Sequence, residues 1–299
     1  MASQGDIELV AGDQRVVLDE VGGGIREYAA RGRELIDGYA AGELSTSGRG
    51  QVLIPWPNRI EDGSYEFGGQ SHQLELTEPE NGNAIHGLVR WEPWAVAERE
   101  PQRVVLQHEL QAPQGYPFTL RVSVEYTLAL DGLTVHTTAT NVGESACPYG
   151  GGFHPYFTVG TETVDSVILH LPARTVLGSD DRGLPLEAAP VDGTEYDFRR
   201  PRPIGSTTLD HAFTELVRDR DGLARVALGG HPGIGLDVWV DQAYGYLQVF
   251  SGDPLPDVNR RSLAVEPMTC PANAFRTGEG LIRLEPGASF TGAWGISPS

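Results

Sequence analysis

The sequence contains no lysine, and its 22 basic residues other than histidine are all arginines. Without lysine, the chain cannot form a side-chain Schiff base or supply the lysine of a phosphate-binding loop. The formal charge of -19 also disfavours a broad phosphate-binding surface, because such surfaces need clustered cations. We therefore expect no nucleic-acid partner and no binding to anionic membranes.

Cysteine and long apolar runs are also scarce. The two cysteines, Cys147 and Cys270, lie far apart and lack CxxC spacing, which predicts reduced thiols rather than a disulfide framework or a zinc site. No stretch reaches the roughly 18 apolar residues of a membrane span, and the N-terminus has no basic region followed by an apolar run. These features predict a cytoplasmic protein.

Strand periodicity is the clearest pattern that is present. Apolar side chains occupy every second position from Phe118 to Leu130, and Asp131-Gly132 then predicts a tight hairpin turn. Similar short runs recur between turn residues, and the chain has 38 glycines and 21 prolines. The pattern predicts an all-β antiparallel sandwich or barrel, in a single domain over residues 1–299. Long loops are expected around residues 40–90 and 177–210.

Polar side chains among glycine, proline and aromatic residues mark four candidate stretches. They are "IPWPNRI" (54–60), "NGNAIHGL" (81–88), "GGFHPYF" (151–157) and "LAVEPMTCPANAF" (263–275). Glu266 is either a desolvated carboxylate suited to act as a general base or a strand-end residue facing water. His154 is either a general acid, for which its ordinary pKa is suitable, or a packed histidine with a satisfied hydrogen bond.

Three further polar residues have two interpretations each. His86 has the same ambiguity as His154, Arg59 could instead form a surface salt bridge, and Asp210 could instead cap a turn. Two histidines and a glutamate could bind zinc, but no HExxH or similar spacing supports a metal site. A serine hydrolase is disfavoured because the GxSxG motif is absent.

These four stretches, together with "LDHAF" (209–213) and "GYLQVFSG" (245–252), resemble the aldose 1-epimerase, or galactose mutarotase, family. The resemblance begins at "IELVAGDQRVVLDEVGGGIREYAARGRELIDG" and closes with "VEP", so it covers nearly the whole chain. It implies a single-domain antiparallel β-supersandwich, galactose mutarotase-like, with a sugar cleft and no metal or other cofactor. The expected partner is a small-molecule sugar, bound by a monomer or homodimer.

The resemblance also implies a role for each candidate residue. Glu266 would take the proton from the anomeric hydroxyl, and His154 would protonate the ring oxygen. His86 would position the sugar, while Arg59 and Asp210 would hold its hydroxyl groups. Interconversion of anomers needs such a pair, because one oxygen must lose a proton while the other gains one.

Departures from the family pattern leave the substrate open. Phe153 stands where the family commonly has asparagine, Leu88 replaces a second glycine, and "TVG" stands where Asn-Leu is frequent. A phosphorylated or otherwise modified hexose is an alternative; phosphate is suggested by the arginines in "DFRRPRP" (197–203), although a solvated loop is the favoured interpretation of that cluster. Candidates for an aromatic sugar platform are Trp56, Trp91 and Trp94. A non-catalytic carbohydrate-binding protein, or a glycosidase using Asp210 as its second carboxylate, is also considered.

Overall fold

The computed structural model describes residues 6–230, 233–253, 255 and 259–299, and nearly all of the regular secondary structure in these residues is β-strand. In chain order, the strands β1 to β27 are Ile7–Ala11, Gln14–Leu18, Ile25–Ala30, Arg33–Glu34, Val52–Leu53, Arg59–Glu61, Ser64–Phe67, Gln70–Gln73, Asn83–Ile85, Ala95–Glu100, Arg103–Gln111, Thr119–Ala129, Gly132–Asn141, Cys147–Tyr149, Gly152–Phe153, Tyr156–Phe157, Ile168–His170, Thr175–Ser179, Pro185–Pro190, Arg202–Pro203, Asp210–Thr214, Ala224–Gly229, Gly235–Val240, Tyr246–Phe250, Leu263–Met268, Ile282–Leu284 and Ser289–Pro298. A 3₁₀ turn spans Val164–Ser166 and a short helix, α1, spans Ala274–Thr277.

Two large antiparallel sheets form the body of the described structure. The first has the strand order β10-β11-β12-β13-β27-β23-β22-β17-β20. The second has the order β19-β18-β21-β24-β25-β15-β5, and β16 also pairs with β25. Phe153 of β15 packs against Trp294 of β27 with ring centres 5.1 Å apart, so side chains of the two sheets meet in the core. The predicted all-β antiparallel supersandwich is confirmed.

The predicted hairpin is formed by β12 and β13, in which Ala129 lies opposite Gly132. Its turn residues are Leu130 and Asp131, one position earlier than expected, and Gly132 begins β13 with φ +138°. A side chain is excluded there because an added Cβ would lie 2.0 Å from the carbonyl oxygen of Ile296 in β27. Close packing of this turn against β27 therefore depends on glycine.

The stretches predicted as long loops contain short strands. Strands β5 to β9 lie within residues 40–90, and β19 and β20 lie within residues 177–210. Elements of two to six residues show too few positions for alternation to be visible in the sequence. The pairing of Val52–Leu53 with Gly152–Phe153 places the chain just before residue 52 beside His154.

The larger cluster of buried apolar side chains draws on both large sheets and on the N-terminal strands. Cys147 and Cys270 are buried and free, as predicted. No helix in the described part of the chain is long and apolar enough to cross a membrane. The assignment of residues 1–299 to a single domain stays a prediction.

Candidate active site

His154 is held by main-chain hydrogen bonds immediately after β15. Its N–H donates to the carbonyl of Gln51 at 3.1 Å, and the N–H of Gly50 donates to its carbonyl at 2.9 Å. Because extended residues alternate in direction, Phe153 points into the core against Trp294 while His154 points away. The phenylalanine that departs from the family pattern is therefore a core residue.

Glu266 lies inside β25, a strand whose residues are all buried, and its side chain is only 2 % exposed. One carboxylate oxygen, Oε1, lies 3.3 Å from Nε2 of His154. The other oxygen, Oε2, is buried and has no hydrogen-bond partner among the described residues, and the same holds for Nδ1 of His154. Of the two interpretations of Glu266, the structure favours the desolvated carboxylate, since Glu266 does not face water.

Burial acts on the two groups in opposite directions. Burial raises the pKa of Glu266 well above its ordinary range, and the charge of Asp210 adds to that effect. Burial lowers the pKa of His154 to about 3, against the effect of a main-chain hydrogen bond. The free pair therefore favours a carboxylic acid beside a neutral imidazole, rather than the carboxylate and imidazolium expected from the sequence.

His86 is buried beside His154. Its ring centre lies 5.2 Å from that of His154, at an interplanar angle of 78°. Burial lowers its pKa well below the ordinary value, and the nearby His154 and Arg90 lower it further. The backbone turns sharply here, with φ +64° at His86 and +71° at Gly87, because the chain passes against the carbonyl of Ile54.

Arg59 begins β6 and forms a bidentate pair with Glu78, with Nε–Oε2 and Nη2–Oε1 distances of 2.8 Å. Its side chain is 17 % exposed, so the pair is not the surface salt bridge considered from the sequence. The remaining terminal nitrogen, Nη1, lies against Gly183, where an added Cβ would be 2.5 Å away. A bidentate partner fixes the plane of the guanidinium group.

Asp210 begins β21 and accepts a hydrogen bond of 2.7 Å from Nε2 of Gln248. Gln248 lies directly opposite Glu266 in the β24–β25 pair, so this amide links the two acidic positions. Arg59, Asp210 and Gln248 line one cavity together with Asn58 and Ala272, and the charges of Asp210 and Arg59 both act on the pKa of Glu266. The structure thus brings all five predicted site residues into one region.

Sequence reasoning missed two arginines near the site. Arg49 is 4 % exposed and its guanidinium lies 4.7 Å from the ring centre of Tyr156, the residue stacked on His154. The charges of Arg49 and Arg90 both lower the pKa of His154, after the larger effect of burial. Arg49 lies between glycines in "SGRGQ", a signal for close backbone approach, but nothing local links it to residue 154.

The tryptophans do not form a common sugar platform. Trp56 and Trp94 are core residues, 2 % and 3 % exposed. Trp91 is 44 % exposed and lines a separate cavity with Arg26 and Gln51. The predicted aromatic surface is therefore wrong for the two buried residues.

The arginines of residues 197–203 are engaged locally. Arg199 binds Asp197 and Asp192, and Arg202 stacks on Phe198 at 3.8 Å from the ring centre. Their contacts favour the solvated-loop interpretation over a phosphate site. Within the described ranges, no group of three or more His, Cys, Asp or Glu side chains is arranged to hold a metal ion.

The described structure is thus an antiparallel supersandwich with a buried carboxyl–imidazole pair, beside which lie a second histidine, an arginine and an aspartate. The family model described as aldose 1-epimerase matches residues 6–297. The chain belongs to the aldose 1-epimerase family.

Individual relatives agree with that assignment. The uncharacterized protein YihR of Escherichia coli K12 is 37% identical over 282 residues, covering 94% of this chain and 89% of that protein. Human galactose mutarotase is 31% identical over 173 residues, covering 54% of this chain and 48% of that protein. A GalM/aldose epimerase homologue from C. elegans has the same fold, with a TM-score of 0.89 at 18% identity over 99% of this chain and 98% of that one.

Proposed function

We propose that the protein is an aldose 1-epimerase that interconverts the α and β anomers of an aldohexose or related sugar. The observation that carries this proposal is the buried contact of 3.3 Å between Nε2 of His154 and Oε1 of Glu266. Two proton-transfer groups in contact suit a sugar because both oxygens that react, O1 and the ring oxygen O5, are bonded to the same carbon. One acid and one base can therefore serve both atoms.

The reaction balances with one proton taken and one given. The base removes the proton of O1, C1–O1 becomes a carbonyl double bond, the C1–O5 bond breaks, and O5 receives a proton from the acid. Rotation about C1–C2 exposes the other face of the aldehyde, and the same steps in reverse close the ring. Glu266 is the base and His154 the acid in this proposal.

The protonation state of the free pair fits this scheme after one internal proton transfer. Burial favours the proton on Glu266, whereas the proposed starting state has it on His154. Moving the proton from Oε1 to Nε2 leaves the total charge unchanged. Oε2 of Glu266 and Nδ1 of His154 are buried and have no hydrogen-bond partner among the described residues. In this proposal the sugar hydroxyls form hydrogen bonds with these two atoms.

Binding and orientation fall to the flanking groups. Arg59 is held in plane by Glu78, and Asp210 is held by Gln248, so both can meet sugar hydroxyls in fixed directions. His86 is neutral at pH 7 because its pKa is well below the ordinary value, and a neutral imidazole can both donate and accept. We propose that it positions the sugar near O5.

A second candidate function uses the same chemistry on a hexose that carries an anionic group. It is favoured by Arg90, a half-buried residue that forms no ion pair within the described part of the chain and whose pKa is lowered by burial. The nearby Glu78 is already bound to Arg59. A phosphate or similar group on the sugar would supply the missing negative charge.

One experiment tests both candidates. Exchange between α and β anomers is measured by proton NMR for glucose, galactose and glucose 6-phosphate, with wild type, Glu266→Gln, His154→Asn and Arg90→Gln. We expect each acid–base variant to lose roughly 10²-fold to 10⁴-fold in kcat. Glu109→Gln is the matched control and should keep the wild-type rate, because Glu109 is a half-exposed residue of β11 that pairs with Arg121 of β12.

The outcomes separate the candidates. A preference of wild type for glucose 6-phosphate that disappears in Arg90→Gln supports the anionic substrate. Equal rates of glucose exchange in wild type and Arg90→Gln support a neutral sugar. Wild-type rates in both acid–base variants would refute the assigned roles. Sugar-induced shifts in the protein without faster exchange for any of the three sugars would instead indicate a carbohydrate-binding protein.

A further inference from the structure

Aromatic and cationic side chains form a layered contact beneath His154. The rings of His154 and Tyr156 are nearly parallel, with centres 4.9 Å apart and an interplanar angle of 12°. The guanidinium of Arg49 lies over the same tyrosine ring, 4.7 Å from its centre. Tyr156 therefore connects a buried cation to the imidazole of the candidate site.

Main-chain atoms of residues 47–51 fix this layer in place. The hydroxyl of Tyr156 donates to the carbonyl of Ser47 at 2.9 Å. Gly48, with φ +77°, lies so close to the imidazole that an added Cβ would be 2.6 Å from Cδ2 of His154. Together with the bonds from Gly50 and to Gln51, these contacts restrain both the backbone and the ring of His154.

The burial of Arg49 needs an explanation beyond packing. Its Nη1 donates to the carbonyl and hydroxyl oxygens of Thr46, but the buried Nη2 has no hydrogen-bond partner in the described structure and meets Asp37 only at 3.7 Å. Leaving a buried charge poorly paired costs free energy, and such cost is commonly retained at functional sites. The positive charge of Arg49 opposes protonation of His154.

We propose that Tyr156 and Arg49 are positioning residues for His154, fixing the plane of its imidazole so that Nε2 faces Glu266 and the substrate oxygens. The inference rests on the proposed function, since it concerns the same acid–base pair. In a site whose groups already lie within hydrogen-bond distance, a rotated imidazole would lose alignment with the proton that it transfers. Arg49 adds an electrostatic effect, because it favours return of the proton from His154.

Tyrosine variants separate stacking from hydrogen bonding. Tyr156→Leu removes the aromatic face, and we expect kcat to fall at least tenfold while KM changes less than threefold. Tyr156→Phe keeps the face and removes only the bond to Ser47, so its loss should be smaller. Tyr126→Phe is the matched control, because Tyr126 is fully buried and its hydroxyl donates to the carbonyl of Gly23. Removing that hydroxyl should leave kcat unchanged.

Arg49→Gln tests the electrostatic part through the pKa of His154, which histidine-selective ¹H–¹⁵N NMR measures without turnover. The other groups facing His154 are Glu266, His86, Arg59, Arg90 and Tyr156, and they remain in place in this variant. We expect the pKa to rise and the acid limb of the kcat profile to move to higher pH by the same amount. An unchanged pKa, or a loss of kcat in Tyr156→Leu no larger than in Tyr126→Phe, would overturn the proposal.

The experiments distinguish refutation of the epimerase activity from refutation of the positioning roles of Tyr156 and Arg49. If wild type does not accelerate anomer exchange, the function is refuted, and the NMR measurement still reports how Tyr156 and Arg49 act on His154. Thermal unfolding of each variant shows whether it is folded at the assay temperature. A Tyr156→Leu protein that is fully folded but slow supports positioning rather than general destabilisation.

Discussion

His154 and Glu266 are both buried, and burial shifts the pKa of each in the direction that favours its neutral form. For His154 the pKa falls to about 3, and for Glu266 it rises well above the ordinary range. Two neutral groups in contact avoid the cost of burying an ion pair without enough hydrogen bonds. Burial therefore favours the neutral pair, which becomes charged only by moving a proton from one group to the other.

This protonation pattern predicts a pH dependence of stability at residue 154. Between pH 6.5 and about 3 the unfolded chain binds a proton that folded His154 does not, so the free energy of unfolding falls as the pH drops through that window. The free energy of unfolding of His154→Asn should therefore fall less than that of wild type between pH 7 and 5. The two slopes should differ by up to about 1.4 kcal/mol per pH unit below pH 6.5. Urea unfolding at several pH values measures this difference.

The control for that prediction is His136→Asn, a change at an exposed position of β13. It should keep the wild-type slope of stability against pH. A slope in His154→Asn identical to that of wild type would show that folding does not lower the pKa of His154. The raised pKa of Glu266 has the opposite effect on the free energy of unfolding, which falls as the pH rises above the ordinary pKa of a glutamate. Glu266 is present in both wild type and His154→Asn, so its effect does not distinguish them.

At the scale of elements, strand alternation was sufficient for the long strands. β12 and β13 are ten residues or more, and their buried faces repeat every second residue in the sequence. β5 and β6 have two and three residues and depend on partners more than 20 residues away, so alternation could not reveal them. Tertiary pairing decides such short elements.

The turn between β12 and β13 gives a testable requirement for glycine. Gly132→Ala should destabilise the protein by roughly 2 kcal/mol or more, because the new Cβ would lie 2.0 Å from the carbonyl of Ile296 at an unfavourable φ. Gly245→Ala is the control, since no heavy atom lies within 4 Å of a Cβ there and its φ is ordinary. Urea unfolding should show a large effect only for Gly132→Ala.

Across the whole molecule, the candidate site was predictable in its residues but not in its surroundings. The resemblance placed His154 and Glu266, and the structure brings them to 3.3 Å. Arg49 lies 105 positions before His154 in the sequence, and only tertiary packing brings it near. The sequence led us to expect a carboxylate at Glu266 and an imidazolium at His154, whereas burial favours the neutral form of both. Full burial of a side chain cannot be predicted from the local sequence pattern.

Net charge makes a prediction for the molecule as a whole. A formal charge of -19 keeps copies apart at pH 7, and that repulsion vanishes near the sequence pI of about 4.7. We expect light scattering to rise steeply as the pH approaches this value, and added salt at pH 7 to weaken the repulsion between copies by screening their charges. Clear solutions at pH 4.7 and high concentration would contradict the idea that charge keeps the protein dispersed.

The position of β27 has a consequence for synthesis on the ribosome. This strand joins β13 to β23 in the middle of the first large sheet, yet it follows every other described strand in the chain. Until residues 289–298 emerge, β13 and β23 each present an unpaired edge of the kind that recruits other chains. The nascent chain therefore carries two half-sheets with open edges until β27 joins them.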